Sequence, residues 1–369
     1  MTRPDIRGHL RRRPPALPLL ALCLGLLAPS ILAADTPGWP GTPGAVFALR
    51  DASITSPFLA FDPMGSELLA FNCATRGRSL IGRHHELVCA GGSFHAREAG
   101  AWIGLQVAKS GAFTLEATLT PAAAAPTAPG VVLAYGDDGG EDAALLQDRT
   151  GLSLRLRGMP RIPLFATEAG RKVHVLVACS RENWAAYRDG RPAGSGPLPR
   201  AWPAWGKRQL VLGAAWPGTE PWQGRLEAIA LFPRVLTAGE AAAEAAAVQA
   251  LQAGRKPATA LRFRGTLLRQ AKTSALKEIQ PYTRSLTVAE YKVDQVLAGE
   301  WKEPTIAVLH WMILDSQRLA IADRQPGTKV DLQVERLEDH PQLESSRRDE
   351  LADADPAAPL FYCESETAR

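Results

Sequence analysis

Between residues 173 and 240 strand signals and tight-turn signals alternate so closely that an antiparallel sheet is the architecture that accommodates them. The run VHVLVAC at 173–179 is apolar and rich in β-branched residues, as a fully buried strand is. ENWAAYRDGRP follows at 182–192, and its Asp189-Gly190 pair tolerates the positive φ that a two-residue hairpin needs. Pro192 cannot donate to a ladder, so pairing is expected to weaken directly beyond that turn. Two more strand patterns, RQLVLG at 208–213 and WQGRLEAIALF at 222–232, come next. Thr237 then caps an Ala-rich run, 238–253, with Glu240 placed to reach back in a capping box. Gly254 and Pro257 stop the helix.

Upstream, FTLEATLT at 113–120 alternates apolar and polar residues with period two. An Ala/Pro-rich loop at 121–129 closes it, and short strands are expected at 131–135, 145–147 and 152–156. Many short strands with turn signals between them indicate an all-β sandwich.

The order of these signals resembles the closing half of a laminin-G-like, or concanavalin A-like, jelly roll. Tyr187-Arg188-Asp189-Gly190 is similar to that family's Y-x-D-G hairpin. Trp222-Gln223-Gly224, with Leu226, Ile229 and Ala230, is similar to its W-x-G-x-[IL] strand. Arg234-Val235-Leu236-Thr237 and Glu240 are similar to its R-x-L-[ST]-x-x-E exit. The resemblance implies a jelly roll over 45–236, a connecting helix at 237–254, and a binding module for polysaccharide or an envelope protein.

The N-terminus reads as a leader. Arg3, Arg7 and Arg11 to Arg13 precede an apolar core at 17–32, and Ala33 and Ala34 offer a cleavage site. The core carries Pro18 and Pro29 and falls short of the roughly 20 residues of a spanning helix. Segment 1–34 is therefore expected to be a signal peptide and 35–44 a Pro/Gly linker, with export to the periplasm or beyond. No other segment is apolar enough to span a bilayer. The leader also explains the charge. Residues 1–33 hold five Arg against one Asp, the same +4 as the whole chain, so the remainder is near neutral. Nothing in that balance supports nucleic-acid binding.

Beyond the helix, strand patterns at 261–268, 286–297, 304–315 and 329–334 outline a second, small β domain at 258–357. Its segment 290–311, with the V-L-x-G turn Val296-Leu297-Ala298-Gly299, resembles small β-barrels of the netrin or OB-like kind. Such domains resemble those that accompany jelly rolls in bacterial polysaccharide O-acetylation systems, which raises a structural partner in export or acetylation as one reading. Residues after Leu337 are charged, and 358–369 are expected to form a peripheral tail.

Catalytic signatures are missing. There is no E-x-D-x-x-E strand, no G-x-S-x-G elbow and no H-E-x-x-H helix. Glu116 and Glu227 read as lone, solvated acids, so a non-catalytic role is expected, with a glycan-active enzyme as the alternative. Trp202, Trp205 and Trp216 are the candidate sugar platforms, set beside prolines in loops. Asp137, Asp138, Glu141 and Asp142 offer hard oxygen donors in a Gly-rich loop, the ligand type that calcium takes. Cys73, Cys89, Cys179 and Cys363 remain after cleavage. Local spacing favours a Cys73–Cys89 disulfide, and Cys179 reads as a buried thiol.

Overall fold

The computed structural model of the chain describes residues 44–49, 58–61, 67–70, 74–122, 128–137, 139–214, 221–353, 355 and 357–364. The expected signal peptide and nearly all of the Pro/Gly linker lie outside the described residues, as do Cys73, Asp138 and Trp216. Among the described residues no helix is long and apolar enough to cross a membrane.

The protein is all-β, as the sequence predicts. Two antiparallel sheets form the sandwich. In one, the strands Arg191–Pro197, Asn183–Arg188, Val173–Cys179, Phe113–Pro121, Gln223–Phe232 and Phe47–Leu49 lie side by side in that order. A hairpin, Ser79–Ile81 with Leu87–Ala90, also pairs with Gln223–Phe232. In the other sheet the order is Ile162–Phe165, Gly151–Leu156, Gly140–Asp148, Gly130–Asp137, Gln209–Leu212, Ser93–Ala96 and Ala74–Arg76. Phe113, Leu115, Ala117 and Leu119 face the space between the sheets at every second position, where they meet Leu133, Leu145, Leu154 and Trp222. The buried Trp222 indole donates to Gln147 Oε1 across the core, so its polar edge is satisfied. At the Asp189-Gly190 hairpin both residues have positive φ, and the ladder shifts register between Ala186 and Tyr187, just before the pairing with Pro192.

Helix α1, Arg97–Ser110, is absent from the sequence-level pattern. Gly100 and Gly104 weaken its propensity, yet both are required by packing. A Cβ at Gly104 would lie 2.0 Å from the Tyr135 hydroxyl, which donates to the Gly206 carbonyl at 2.6 Å. Ala99, Ile103 and Val107, four residues apart, bury the helix's inner face. Helix α2, Ala238–Ala253, forms as predicted, with the Thr237–Glu240 capping box in place. It covers the outer face of the first sheet, where Ala241 meets Leu176, Tyr187, Ala230 and Phe232.

The C-terminal strands close into a five-stranded barrel in the order Ala260–Gln270, Ser285–Ala298, Thr305–Leu314, Leu360–Tyr362 and Lys329–Arg336. One expectation is corrected here. Segment 358–369 is not simply a tail, because Leu360–Tyr362 fills the gap between Thr305–Leu314, which it meets in parallel, and Lys329–Arg336. Phe361, Tyr362 and Cys363 are buried. Without this short strand two barrel edges would be left unpaired, and three successive apolar residues are what such a slot takes up. Barrel and sandwich share an apolar contact, in which Leu80 and Val88 of the hairpin pack with Leu286, Val288, Leu309 and Trp311.

Replacing Phe361 with Ala is expected to lower stability by about 3–5 kcal/mol, read by urea denaturation. A loss below about 1 kcal/mol would place the C-terminus outside the barrel core.

Candidate functional site

The hairpin that ties the sandwich to the barrel also builds the wall of a cleft between them. The cleft has a volume of about 580 Å³, inside the ~300–1,000 Å³ range of ligand pockets. The hairpin turns tightly at Gly82: His85, at φ 57°, donates to the Gly82 carbonyl at 3.0 Å, and Gly82 donates to Glu86 at 2.8 Å. Gly82 has no side chain where the Glu86 carboxyl sits, since a Cβ there would approach it to 2.2 Å. Glu86 therefore folds back over the turn, accepts from the His84 amide at 2.9 Å, and faces the cleft.

The floor comes from the Gln223–Phe232 strand. Arg225 donates to Glu86 at 2.8 Å and also pairs with Glu364, which follows the last barrel strand. Two residues on, Glu227 accepts from Lys172 at 2.9 Å and from Arg255, just beyond α2, at 2.6 Å. Gln252 of α2 adds a third donor to Glu227 at 3.2 Å. On the barrel side, His340 lies 3.1 Å from Glu335, and its ring sits edge-on to Tyr362. The result is an alternating chain of acids and bases. Arg225 serves two carboxylates, and Glu227 serves two cations.

The surroundings push these carboxyls in opposite directions. Burial raises Glu364 above the ordinary carboxylate range, against the pull of Arg225. Burial also opposes ionisation of Glu227, but the hydrogen bond from Lys172 and the charge of Arg255 outweigh it and leave the group lowered. Glu335 is lowered chiefly by its bond to His340. One cleft thus holds one carboxyl shifted up by burial and two shifted down by the donors they meet.

The residues singled out from the sequence lie elsewhere. Trp202 and Trp205 are 3% and 4% exposed and belong to the sandwich core, which corrects their reading as sugar platforms. Trp205 stacks on Tyr135 with centroids 4.3 Å apart, Trp202 sits edge-on to Phe113, and its indole donates to the Ser180 carbonyl at 2.8 Å. A loop position does not reveal the apolar part of the sandwich that those rings fill. Of the proposed calcium ligands, Asp137 pairs with Arg208, Glu141 with Arg155 at 2.6 Å, and Asp142 with Arg157 at 2.6 Å. The acids are turned toward arginines, and among the described residues no group of three or more His, Cys, Asp or Glu side chains is arranged to hold a metal ion. Cys89 is buried in the hairpin, and its expected disulfide partner is not described. Cys179 is a buried thiol, raised by burial, as the sequence predicts.

Glu116 and Glu227 are also corrected, since neither is solvated: they are 0% and 5% exposed. Glu116 lies under α2, where it shares a hydrogen bond of 2.9 Å with His174 and faces Glu244. Burial raises it to about 7, against the hydrogen bond from His174. A two-residue period reveals which strand face an acid occupies. It does not reveal that a helix from further along the chain covers that face.

Residues 99–242 match the family model of the concanavalin A-like lectin/glucanases superfamily. This part of the chain is a jelly-roll domain of that superfamily. No curated protein matches the chain. Among solved structures, the chain is similar to Trypanosoma rangeli sialidase at 19% identity and a TM-score of 0.43, covering 57% of this chain and 34% of that one. It is also similar to domain 4 of AbnA, a GH43 extracellular arabinanase from Geobacillus stearothermophilus, at 13% identity and a TM-score of 0.36, covering 48% of this chain and 89% of that one. The chain thus spans about a third of the length of the sialidase it matches.

A carboxyl near 4.5 when unfolded and about 7 when folded binds extra protons only in the native state. Stability is therefore lost as pH rises from about 4.5 through about 7, and Glu116→Gln, which removes the charge and keeps a hydrogen-bonding group for His174, should flatten that decline. Urea midpoints of both proteins across this pH range test it, and parallel curves would count against it. Because Asp137, Glu141 and Asp142 each hold an arginine, calcium or a chelator should leave the melting temperature within about 1 °C. A clear upward shift with calcium would restore the cation reading.

Proposed function

We propose that the protein is an exported, non-catalytic binding module, secreted or periplasmic, that holds polysaccharide in the cleft between sandwich and barrel. The observation that carries this reading is the cleft itself. It is open, ligand-sized, and lined by Arg225, Glu227, Glu335, Gln333 and Thr120, groups that donate and accept hydrogen bonds side by side. The superfamily match, to lectins and glucanases, supports a saccharide over other polar ligands. The Trp202 and Trp205 rings are committed to the core and leave recognition to polar edges.

A second reading is favoured by one observation. Glu364 is raised and Glu335 and Glu227 are lowered within the same cleft, the kind of divergence that separates a general acid from a base. A glycan-active enzyme is the corresponding function.

The test is binding of the full chain to a panel of bacterial and plant polysaccharides, followed by assay of released reducing ends. Saturable binding without cleavage is expected. Arg225→Met should weaken it by about tenfold or more, because the two carboxylates that Arg225 holds then lose their place. Trp202→Phe should lower stability and leave affinity within about twofold. Release of reducing ends that disappears in Glu364→Gln would establish the enzyme reading. Absence of binding to every glycan would leave an envelope-protein partner, in an export or acetylation assembly, as the better account.

A further inference from the structure

We infer that the cleft selects neutral, hydroxyl-rich saccharides against polyanionic ones such as polyuronates. The inference rests on the binding reading above and specifies its ligand.

The basis is how charge is distributed in the cleft. Four cations, Arg83, Lys172, Arg225 and Arg255, face four carboxylates, Glu86, Glu227, Glu335 and Glu364. The pairing is local as well as numerical. Arg225 touches Glu86 at 2.8 Å and also touches Glu364, while Lys172 and Arg255 touch Glu227 at 2.9 and 2.6 Å. Arg83 donates to the Lys256 carbonyl and its charge acts on Glu335.

A cation with a carboxylate at about 3 Å presents a dipole to an incoming group, and the attraction of a dipole falls off faster than that of a bare charge. A uronate carboxylate would meet an acid beside Arg225, Lys172 and Arg255. To gain a full ion pair with any of these three it would have to part an existing one and leave a carboxylate of the cleft uncompensated. A hydroxyl faces no such conflict, since it both donates and accepts. It can give its proton to a spare carboxylate lone pair and accept from a spare guanidinium N–H, with the protein's pairs intact. The exposed Gln333 amide and the half-buried Thr120 hydroxyl extend this two-way surface.

Among the described residues Tyr362 is the sole Phe, Tyr or Trp lining the cleft; it is 2% exposed, and its hydroxyl accepts from Trp311 at 3.0 Å. Ring stacking therefore contributes little, and the hydroxyl edges of the sugar carry the recognition. Affinity should depend only weakly on salt, because no net ion pair forms on binding.

The experiment is calorimetric titration of the full chain with xylotriose, maltotriose and trigalacturonate at about 0.05 and 0.5 M salt. The expected result is at least about tenfold tighter binding of one neutral trisaccharide than of trigalacturonate, changing less than about twofold with salt. Trigalacturonate binding as tightly or more tightly would overturn this inference and leave the saccharide reading standing. Failure of all three sugars, and of the polysaccharide panel, would sink the saccharide reading and this inference with it.

A charge variant adds a readout that a structural role alone does not move. Glu227→Gln leaves Lys172 and Arg255 uncompensated and should shift the ratio toward trigalacturonate by about tenfold. Lys172→Gln, at a more exposed position, should shift it the opposite way, and unchanged ratios in both folded variants would also overturn the proposal.

Discussion

The structure depends on the Gln223–Phe232 strand, one face of which enters the sandwich core while the other is divided between the cleft and α2. It lies in the first sheet between Phe113–Pro121 and Phe47–Leu49 and also pairs with the hairpin strand Leu87–Ala90. Leu226, Ile229 and Leu231 enter the sandwich core, and the spacing from 226 to 229 is three rather than two. The extra residue is taken up where the ladder shifts between Glu227 and Ala230, with Ala228 at φ 44°. Before this bulge the opposite face presents Arg225 and Glu227 to the cleft, and after it the face presents Ala230 and Phe232 to α2. One added residue thus divides a single strand face into a polar site and an apolar seat for a helix.

The two halves of that face have different electrostatic consequences. In the cleft, charges sit partly in water and compensate one another, so Glu227 is held ionised by Lys172 and Arg255 despite its burial. Under α2, Glu116 accepts from His174, with Glu244 opposing its charge, and burial wins. Two acids on adjacent strands therefore hold their protons differently because one meets cations and the other meets a helix.

The cleft also depends on the end of the chain. Leu360–Tyr362 completes the barrel, and only then does Glu364 reach Arg225. The apolar contact of Leu80 and Val88 with Leu286 and Trp311 keeps the hairpin against the barrel. The site is thus assembled from the start of the sandwich, its last strand, the residues after α2 and the C-terminus, which no local motif unites.

The sequence by itself determined the all-β class, the strands from residue 173 to 232, the Asp189-Gly190 turn, the capped helix at 238–253 and the strands of the barrel other than its last. These follow from side-chain period, turn chemistry and capping, which act over a few residues. Only the tertiary structure decided that α1 forms despite its glycines, that Trp202 and Trp205 close the core, and that Asp137, Glu141 and Asp142 face arginines. It alone decided as well that Leu360–Tyr362 closes the barrel and that Arg225 and Glu227 line a cleft. Each of these outcomes turns on what covers a face, and cover comes from segments distant in the chain.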